Sequence, residues 1–375
     1  MAERLPDINS VDLSGFDDAE RAALVVLAGL PTMTAKRFWG AIADHGPTEA
    51  LAIVRSGDNP IGRRPLYADW QRVAAAADSM ERLAAHRAAG IEVHCFGDQG
   101  YPTALLDDPE PPPVLFGIGP ALIGARRAVA IVGTRRCTSY GRSIAHDLGA
   151  ALAERQVDVV SGLARGIDAG AHVGAAKVRP DAAIAVVACG LDVVYPKGNR
   201  ALWQQIAESG RIVSEWPLGV APETWSFPAR NRIIAAFAEV TVVVESRVRG
   251  GSMHTVEAAI ERDRRVFTVP GSIRSPVSAG TNRLLVDGAE VLCSIEEFVA
   301  SIAPVDAPPT TGGQLMFEEP DADNWLLEAV GYEAITVDAI VQSTGRSVVE
   351  VIAAIEVEIA RGVLRRSGPA IERSR

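Results

Sequence analysis

The sequence lacks the residues from which a disulfide framework, a metal centre or a membrane span is usually built. Its 375 residues include only four cysteines, and no two form a C-x-x-C pair, so neither a disulfide scaffold nor a zinc site is indicated. The longest apolar run, Ala182–Leu191, has about half of the roughly 20 residues that a membrane span requires. The acidic segment Met1–Asp18 lacks the basic and apolar stretches of a secretory signal. We therefore expect a reduced, cytoplasmic protein with no membrane partner.

Aromatic residues are also scarce, at 5% of the chain, whereas hydrophobic residues make up 48% and charged residues 22%. This composition is typical of an Ala- and Val-rich α/β protein. It excludes an intrinsically disordered chain, which has too little apolar surface to bury. A length of 375 residues exceeds one average domain. We expect one large unit with one or two small satellites.

The formal net charge of -10 argues at first against a polyanionic partner. Residues 121–299, however, carry 21 Lys and Arg against 18 Asp and Glu, a balance of +3 that leaves -13 on the two flanks. Local charge decides contact with phosphates, because the Debye length is about 8 Å at physiological salt. The central segment is therefore the candidate for phosphate binding.

The composition and the spacing of apolar residues change along the chain. Asp18–Gly90 has apolar residues at helical spacing with breaks at Gly29–Pro31 and Gly57–Pro60, which fits either a SAM-like or helix-hairpin-helix unit or a plain helical packing module. Proline-rich Ile91–Gly119 is expected to run extended across the surface. The C-terminal pattern fits a winged helix or a three-helix cap. We predict a helical, SAM-like domain at 1–95, a Rossmann-like domain at 96–302, a linker at 303–323 and a winged-helix-like domain at 324–375.

Between the flanks, short Val- and Ile-rich runs alternate with amphipathic helical stretches. This alternation predicts a Rossmann-like, doubly wound and mainly parallel sheet, whose ligands lie beyond the carboxyl ends of the strands. The turns that follow the runs are therefore where function is expected. The predicted strands are Ala128–Val132, Val157–Val160, Ala183–Ala188, Arg211–Ser214, Val240–Val244, Arg265–Val269 and Glu290–Leu292.

The first two predicted strands end in loops that combine glycine with arginine. Gly133-Thr134-Arg135 follows the first strand, and Ser161, Gly162, Arg165 and Gly166 follow the second. Glycine lets a ligand approach the backbone, and the arginine fork suits phosphate oxygens. The loops do not match the G-x-G-x-x-G dinucleotide fingerprint. Two loops of the same chemistry at one sheet edge favour an anion site. The alternative is that they are only tight turns whose arginines are exposed to solvent.

Two later loops repeat this chemistry. Phe227-Pro228 leads into a helix whose first turn carries Arg230, Asn231 and Arg232, where free N–H groups attract phosphate. Gly251-Ser252 before another helix suggests a second phosphate cradle. Aromatic residues interleaved with arginines are typical of single-strand binders. The aromatic residues Tyr195, Trp216, Trp225 and Phe227 fit either base stacking or anchoring of loops on the core.

Taken together, residues 101–299 resemble the DNA-processing protein A family, also called DprA or Smf. Several motifs in one order are far more specific than any one alone. The preceding Tyr101-Pro102 and Pro111–Phe116 also resemble the family's entry segment. The motifs that carry the resemblance are Val132–Arg135, Ser161–Asp168, Tyr195-Pro196, Phe227–Ile234, Gly251-Ser252, Val269–Ser272 and Gly280–Asn282.

The resemblance implies a protein that binds single-stranded DNA in a basic pocket, protects incoming DNA, forms a homodimer and helps to load the RecA recombinase in natural transformation. The family's pocket arginine would correspond to Arg135, and the arginines of its F-P-x-R-N-R motif to Arg230 and Arg232. Met253-His254 and Asp263 depart from the family pattern and put the local loop shape in doubt.

An enzyme is the rival interpretation. Gly251–Glu257 partly matches the P-G-G-x-G-T-x-x-E signature of nucleotide phosphoribohydrolases, with Glu257 as catalytic carboxylate and Arg135 on phosphate. No acid or base is accompanied by a nucleophile at a recognisable spacing, and His146 and His172 fall within helices. A scaffold that binds neither ligand is the third interpretation. We expect a non-enzymatic DNA binder without cofactor or metal, contacting DNA through Gly133, Thr134, Arg135, Ser161, Gly162, Arg165, Gly166, Arg230, Asn231, Arg232, Gly251 and Ser252.

Overall fold

A computed structural model of the chain describes residues 15–57, 65–119, 126–303, 325–330 and 335–373. The chain forms two compact units, Met1–Pro308 and Pro309–Arg375. Residues 58–60 of the predicted turn, and all of the predicted linker except Ala303, lie outside the described residues. No helix in the described part of the chain has both the length and the apolar surface that crossing a bilayer would need.

The first unit begins with helices. Asp17 caps the first of them and forms a capping box with Glu20, which satisfies two N–H groups at the helix start. Trp39 is fully buried, and its indole N–H donates to the Pro111 carbonyl at 2.7 Å. These helices therefore pack against the rest of the unit in one continuous core. The helices are α1 (Asp18–Ala28), α2 (Ala35–Ile42), α3 (Gly46–Ser56), α4 (Pro65–Ala75) and α5 (Ser79–Ala88).

A mainly parallel sheet forms the centre of the first unit. Its order among the described residues is β1-β2-β6-β5-β4-β3-β7-β8-β9, and only the β1–β2 and β2–β6 pairs are antiparallel. The predicted doubly wound sheet is confirmed. The strands are β1 (Glu92–Cys95), β2 (Val114–Ile118), β3 (Ala128–Val132), β4 (Asp158–Ser161), β5 (Ala183–Val186), β6 (Arg211–Ser214), β7 (Val240–Val243), β8 (Arg265–Thr268) and β9 (Glu290–Val291).

Helices cover both faces of this sheet. Along β3, Ala130 faces the core that contains Ile233 and the N-terminal helices, whereas Ile131 faces a second core with Leu148 and Ala171. Both faces of the central strands are buried, which is why they read as continuous apolar runs in the sequence. The covering helices are α6 (Ser139–Glu154), α7 (Ile167–Val178), α8 (Arg200–Ser209), α9 (Ser226–Phe237), α10 (Met253–Ile260), α11 (Ala279–Val286) and α12 (Ile295–Ile302).

The proline-rich connection does not run across the surface as predicted. Pro111, Pro112 and Pro113 are buried, and the chain continues directly into β2, whose Leu115 and Phe116 are fully buried. A strand can follow prolines directly, because the N–H groups that the prolines lack fall before the ladder of β2 begins. The sheet thus begins with β1 at Glu92, before the predicted start of the Rossmann-like domain at residue 96.

The direction of winding reverses beside β3. The chain passes from β3 through β4 and β5 to β6 on one side, and then places β7, β8 and β9 on the other. Open α/β sheets usually bind ligands near such a reversal, beyond the carboxyl ends of the strands. The edge that holds the loops after β3, β4, β5 and β7 is therefore the place to examine.

The second unit has the element order of a winged helix, in agreement with the prediction. Its three strands pair antiparallel in the order β10-β12-β11. Its small core contains Leu326, Ile340, Ile355 and Leu364. The helix α15 carries three glutamates and neither lysine nor arginine. The elements are α13 (Trp325–Val330), β10 (Ile335–Thr336), α14 (Val337–Thr344), α15 (Val348–Ala360), β11 (Leu364–Ser367) and β12 (Ala370–Arg373).

Candidate nucleic-acid interface

A cavity of about 510 Å³ lies beyond the carboxyl ends of β3, β4 and β5, against the first turn of α9. Its volume is within the range of small-molecule sites, which runs from about 300 to 1,000 Å³. We call it the main pocket. Its lining consists of Arg135, Arg136, Gly162, Ala164, Arg165, Val187, Ala188, Cys189, Tyr195, Pro196, Lys197, Phe227 and Arg230.

The lining of the main pocket is cationic. Five of its residues carry a positive charge, and none carries a negative one. The side chains of Arg135, Arg136, Arg165 and Lys197 are exposed at the mouth, whereas Arg230 lies at the buried floor. No carboxylate neutralises the four exposed cations within the described residues. The main pocket therefore attracts anions although the chain as a whole is acidic.

Two aromatic rings form one wall of the main pocket. The rings of Tyr195 and Phe227 lie 5.6 Å apart between centroids, and Tyr195 is 40% exposed. The guanidinium of Arg135 lies 4.9 Å from the centre of the Phe227 ring. A cation over an aromatic face is held in place without losing its charge. The wall thus offers an apolar surface for a base beside a cation for a phosphate.

Arg230 anchors the floor of the main pocket. Its side chain is 4% exposed, and Nη1 donates to the Gly162 carbonyl at 2.8 Å and to the Val186 carbonyl. Its Nε donates to Asn231 Oδ1 at 3.1 Å. Burial lowers the pKa of Arg230 to about 10, with the charge of Asp168 opposing this and that of Arg135 adding to it. Arg230 therefore remains charged at neutral pH and ties β4 to β5.

Two glycines that the sequence singles out are required by close packing. A Cβ on Gly162 would lie 2.6 Å from Nη2 of Arg230, so glycine gives the guanidinium its place. Gly166 has a φ of +82°, which favours glycine, and a Cβ there would collide with the Thr134 carbonyl. Gly162 thus lets α9 approach the loop after β4, and Gly166 brings the loops after β3 and β4 together.

The start of α6 is occupied by a carboxylate of the protein itself. Glu245, which follows β7 and is 3% exposed, accepts the Thr138 N–H at 2.9 Å and the Thr138 hydroxyl at 2.6 Å. In dinucleotide-binding proteins a phosphate binds at the start of the corresponding helix. The carboxylate of Glu245 takes the position of that phosphate at the start of α6. The main pocket therefore lies on the side of β4 and β5, away from the reversal of winding beside β3.

The predicted DNA-contact residues divide into three groups. Arg135, Gly162, Arg165 and Arg230 line the main pocket, and Gly166 lines a cavity beside it. Others lie beneath the loops: the Ser161 hydroxyl donates to the Ile131 carbonyl at 2.6 Å, the Thr134 N–H donates to the Glu245 carbonyl at 2.7 Å, and Gly133 packs against Ile167.

The remaining four predicted residues lie outside the main pocket. Arg232 forms an ion pair with Glu215 and donates to the Glu110 carbonyl, so a phosphate would have to compete with both partners. Asn231 donates to the Gly251 carbonyl at 3.2 Å. Ser252 shares a hydrogen bond of 2.8 Å with Ser246, and Gly251 is exposed. The structure therefore does not bring all twelve residues together.

Sequence reasoning left out Lys197 and Arg136, which line the main pocket. Lys197 comes directly after Tyr195-Pro196, beyond the carboxyl end of β5. Its position at the same sheet edge as Arg135 was the available signal. The wall of the main pocket formed by Val187–Cys189 could not be predicted in this way, because it depends on the shape of the backbone rather than on side-chain chemistry.

His172 lies fully buried in α7. Burial lowers the pKa of His172 to about 4, and the charge of Arg230 acts in the same direction. The unfolded chain, with an ordinary histidine pKa near 6.5, then binds more protons than the folded chain between pH 6.5 and 4. We expect the His172 contribution to the free energy of unfolding to fall by about 2–3 kcal/mol between pH 7.5 and 4.5.

Urea unfolding of the wild type and of His172→Gln at several pH values checks this prediction. The glutamine does not titrate, so its free energy of unfolding should fall less steeply below pH 6.5, whatever its value at pH 7.5. Equal slopes for the two proteins would contradict a buried neutral imidazole.

Among the described residues, those that line the main pocket include no histidine and no carboxylate. Glu257, the carboxylate of the rival enzyme interpretation, is exposed on α10 and lies 3.2 Å from His254 Nδ1. It does not line the main pocket. Among the described residues, no three His, Cys, Asp or Glu side chains form a group that could hold a metal ion.

The fold and the site together define a class: a Rossmann-like α/β protein with a cationic, aromatic-walled pocket at the carboxyl edge of its sheet. The model of the DNA recombination-mediator protein A family matches residues 92–303, and the chain belongs to that family. The chain is 42% identical over 240 residues to a DNA processing protein DprA of Mycobacterium tuberculosis, covering 62% of this chain and 61% of the relative. It therefore spans less than two thirds of that relative's length.

Other similar proteins belong to the same family. The DNA processing protein DprA of Bacillus subtilis is 37% identical over 216 residues, which are 57% of this chain and 72% of the relative. The structure of DNA processing protein A from Streptococcus pneumoniae matches with a TM-score of 0.63 and 31% identity, over 77% of this chain and 99% of that one. Helicobacter pylori DNA processing protein A, solved for its single-stranded DNA binding mode, matches with a TM-score of 0.51 and 32% identity, over 56% and 94%.

Proposed function

We propose that this protein binds single-stranded DNA in the main pocket, protects incoming DNA and helps to load RecA during natural transformation and recombination. The observation that carries the proposal is a lining with five cations, no carboxylate and an exposed aromatic wall. Cations along a groove attract the backbone of a single strand, and aromatic rings stack with its bases. The similarity to proteins named for DNA processing supports the same substrate.

Binding without turnover, as a homodimer in the cytoplasm, is part of the proposal. The position of Glu257 outside the main pocket and the occupation of the start of α6 by Glu245 support a non-enzymatic role. The family motifs support dimerisation and the RecA partner. Within the second unit, the acidic helix α15 does not favour contact with DNA, so we assign DNA binding to the first unit.

Titration of a fluorescent oligothymidine at 50–200 mM salt tests the proposal. Arg135→Ala should weaken binding about tenfold for any sequence and lower the slope of log affinity against log salt by about one unit, because one phosphate contact is lost. Arg274→Ala removes an exposed arginine that lies after β8 and outside the main pocket, and it is the matched control.

Two results would contradict the proposal. One is wild-type protein that does not bind the oligothymidine at 50 mM salt, and the other is an equal loss of affinity in Arg135→Ala and Arg274→Ala. Hydrolysis of a nucleoside monophosphate by the wild type, abolished in Glu257→Gln, would instead favour the phosphoribohydrolase.

A further inference from the structure

A second cavity, of about 460 Å³, adjoins the main pocket. It lies between α6 and α7 and the turn before α8, and we call it the side cavity. Like the main pocket, it is large enough for a small-molecule group. Besides the residues that it shares with the main pocket, its lining includes Arg142, His146, Gly170, Val173, Gly198 and Asn199.

Arg135 and Arg165 line both cavities. Both side chains are exposed, and neither is bound to a carboxylate in the described part of the chain. Arg165 lies close to the turn at Gly198, since a Cβ on Gly198 would be 3.5 Å from Arg165 Nη2. The two guanidinium groups thus stand at the boundary between two spaces of similar size.

The side cavity differs from the main pocket in its walls. It contains no aromatic ring apart from the imidazole of His146, and an apolar side chain, Val173, is 44% exposed within it. Arg142 and His146 lie one helical turn apart on α6 and face it together. Its chemistry suits a sugar and base that pack without a stacking partner, next to a phosphate held by arginine.

We propose that two consecutive nucleotides of a bound strand occupy the two cavities, and that the phosphate between them is held by Arg135 and Arg165. The proposal rests on the binding of single-stranded DNA in the main pocket. The protein then binds two consecutive nucleotides as one unit. One base packs against Tyr195 and Phe227, and the next packs against Val173. Contact with the bridging phosphate makes this recognition independent of sequence.

Competition against a fluorescent oligothymidine by thymidine 5′-monophosphate and by the dinucleotide pdTpdT tests the proposal. The wild type should bind the dinucleotide at least about tenfold more tightly than the mononucleotide. Val173→Glu places a carboxylate in the side cavity and should remove that gain, with a much smaller effect on the affinity for the mononucleotide. Val173→Arg should increase the gain, an effect that a misfolded variant could not produce.

Val178→Glu is the matched control, because Val178 lies on the same helix, is 40% exposed and lines neither cavity. It should retain the wild-type gain. Equal affinity of the wild type for the two competitors would overturn the side cavity as a second subsite while leaving the main pocket in place. An equal loss in Val173→Glu and Val178→Glu would overturn it too, because the effect would then be one of overall charge. Failure of every probe to bind would instead refute the proposed function itself.

Discussion

Replacement of Arg230 by methionine is expected to lower the free energy of unfolding by about 3–5 kcal/mol. The variant leaves the carbonyls of Gly162 and Val186 without their donor and the buried carboxylate of Asp168 without a nearby opposite charge. Buried groups that lose their partners keep the whole cost of their desolvation. Unfolding in guanidinium chloride, followed by tryptophan fluorescence, measures the change.

Arg265→Met is the matched control for this prediction. Arg265 pairs with Glu290 at 2.6 Å, but both side chains are about half exposed, so its loss should cost less than about 1 kcal/mol. If Arg230→Met costs no more than Arg265→Met, then Arg230 does not hold the ends of β4 and β5. Arg230→Lys should fall between the two, because lysine keeps the charge but lacks the Nε–H group that donates to Asn231.

The prediction separates two arginines that look alike in the sequence. Arg230 and Arg232 stand two positions apart in the first turns of one helix, and both were expected to contact DNA. Residues two apart on an α-helix point in nearly opposite directions, about 200° from each other. Arg230 accordingly faces the main pocket, whereas Arg232 faces Glu215. The helical period alone could have shown that only one of them reaches the main pocket.

The parallel strands were predictable because burial on both faces leaves an unbroken apolar run. Each of the seven predicted runs overlaps a strand from β3 to β9, within two residues at either end. The antiparallel strands β1 and β2 were missed for other reasons. Proline residues directly precede β2, and the alternation in Glu92–Cys95 is too brief to tell from a loop. Their pairing depends on contacts with distant residues.

The position of the main pocket followed from the sequence, but its details did not. The rule that ligands lie beyond the carboxyl ends of parallel strands placed Arg135 and Arg165 at one edge. The contact between Glu245 and Thr138 joins residues that are 107 positions apart, and no local pattern predicts it. That contact shifts the open space away from the reversal beside β3 and towards β5. Packing, rather than motif, therefore decides which loop residues face a ligand.

The double charge reversal Arg135→Glu/Arg165→Glu is expected to weaken binding of oligothymidine at least about 100-fold at 50 mM salt. Each substitution removes a cation and adds an anion at the boundary of the two cavities, so attraction of the backbone becomes repulsion. The main-pocket cations Arg136, Lys197 and Arg230 remain, but they lie on one side of that boundary only. Fluorescence titration at low and high salt measures both the affinity and its salt dependence.

Arg247→Glu/Arg249→Glu makes the same change in net charge at the same edge of the sheet. Both arginines are exposed in the loop after β7, and neither lines the main pocket or the side cavity. This variant should lose less than about tenfold in affinity, through long-range repulsion that salt screens. A loss as large as that of the first double variant would mean that the whole edge attracts DNA as a diffuse positive field. The larger loss should stay with Arg135 and Arg165, because these are the two arginines proposed to contact a phosphate directly.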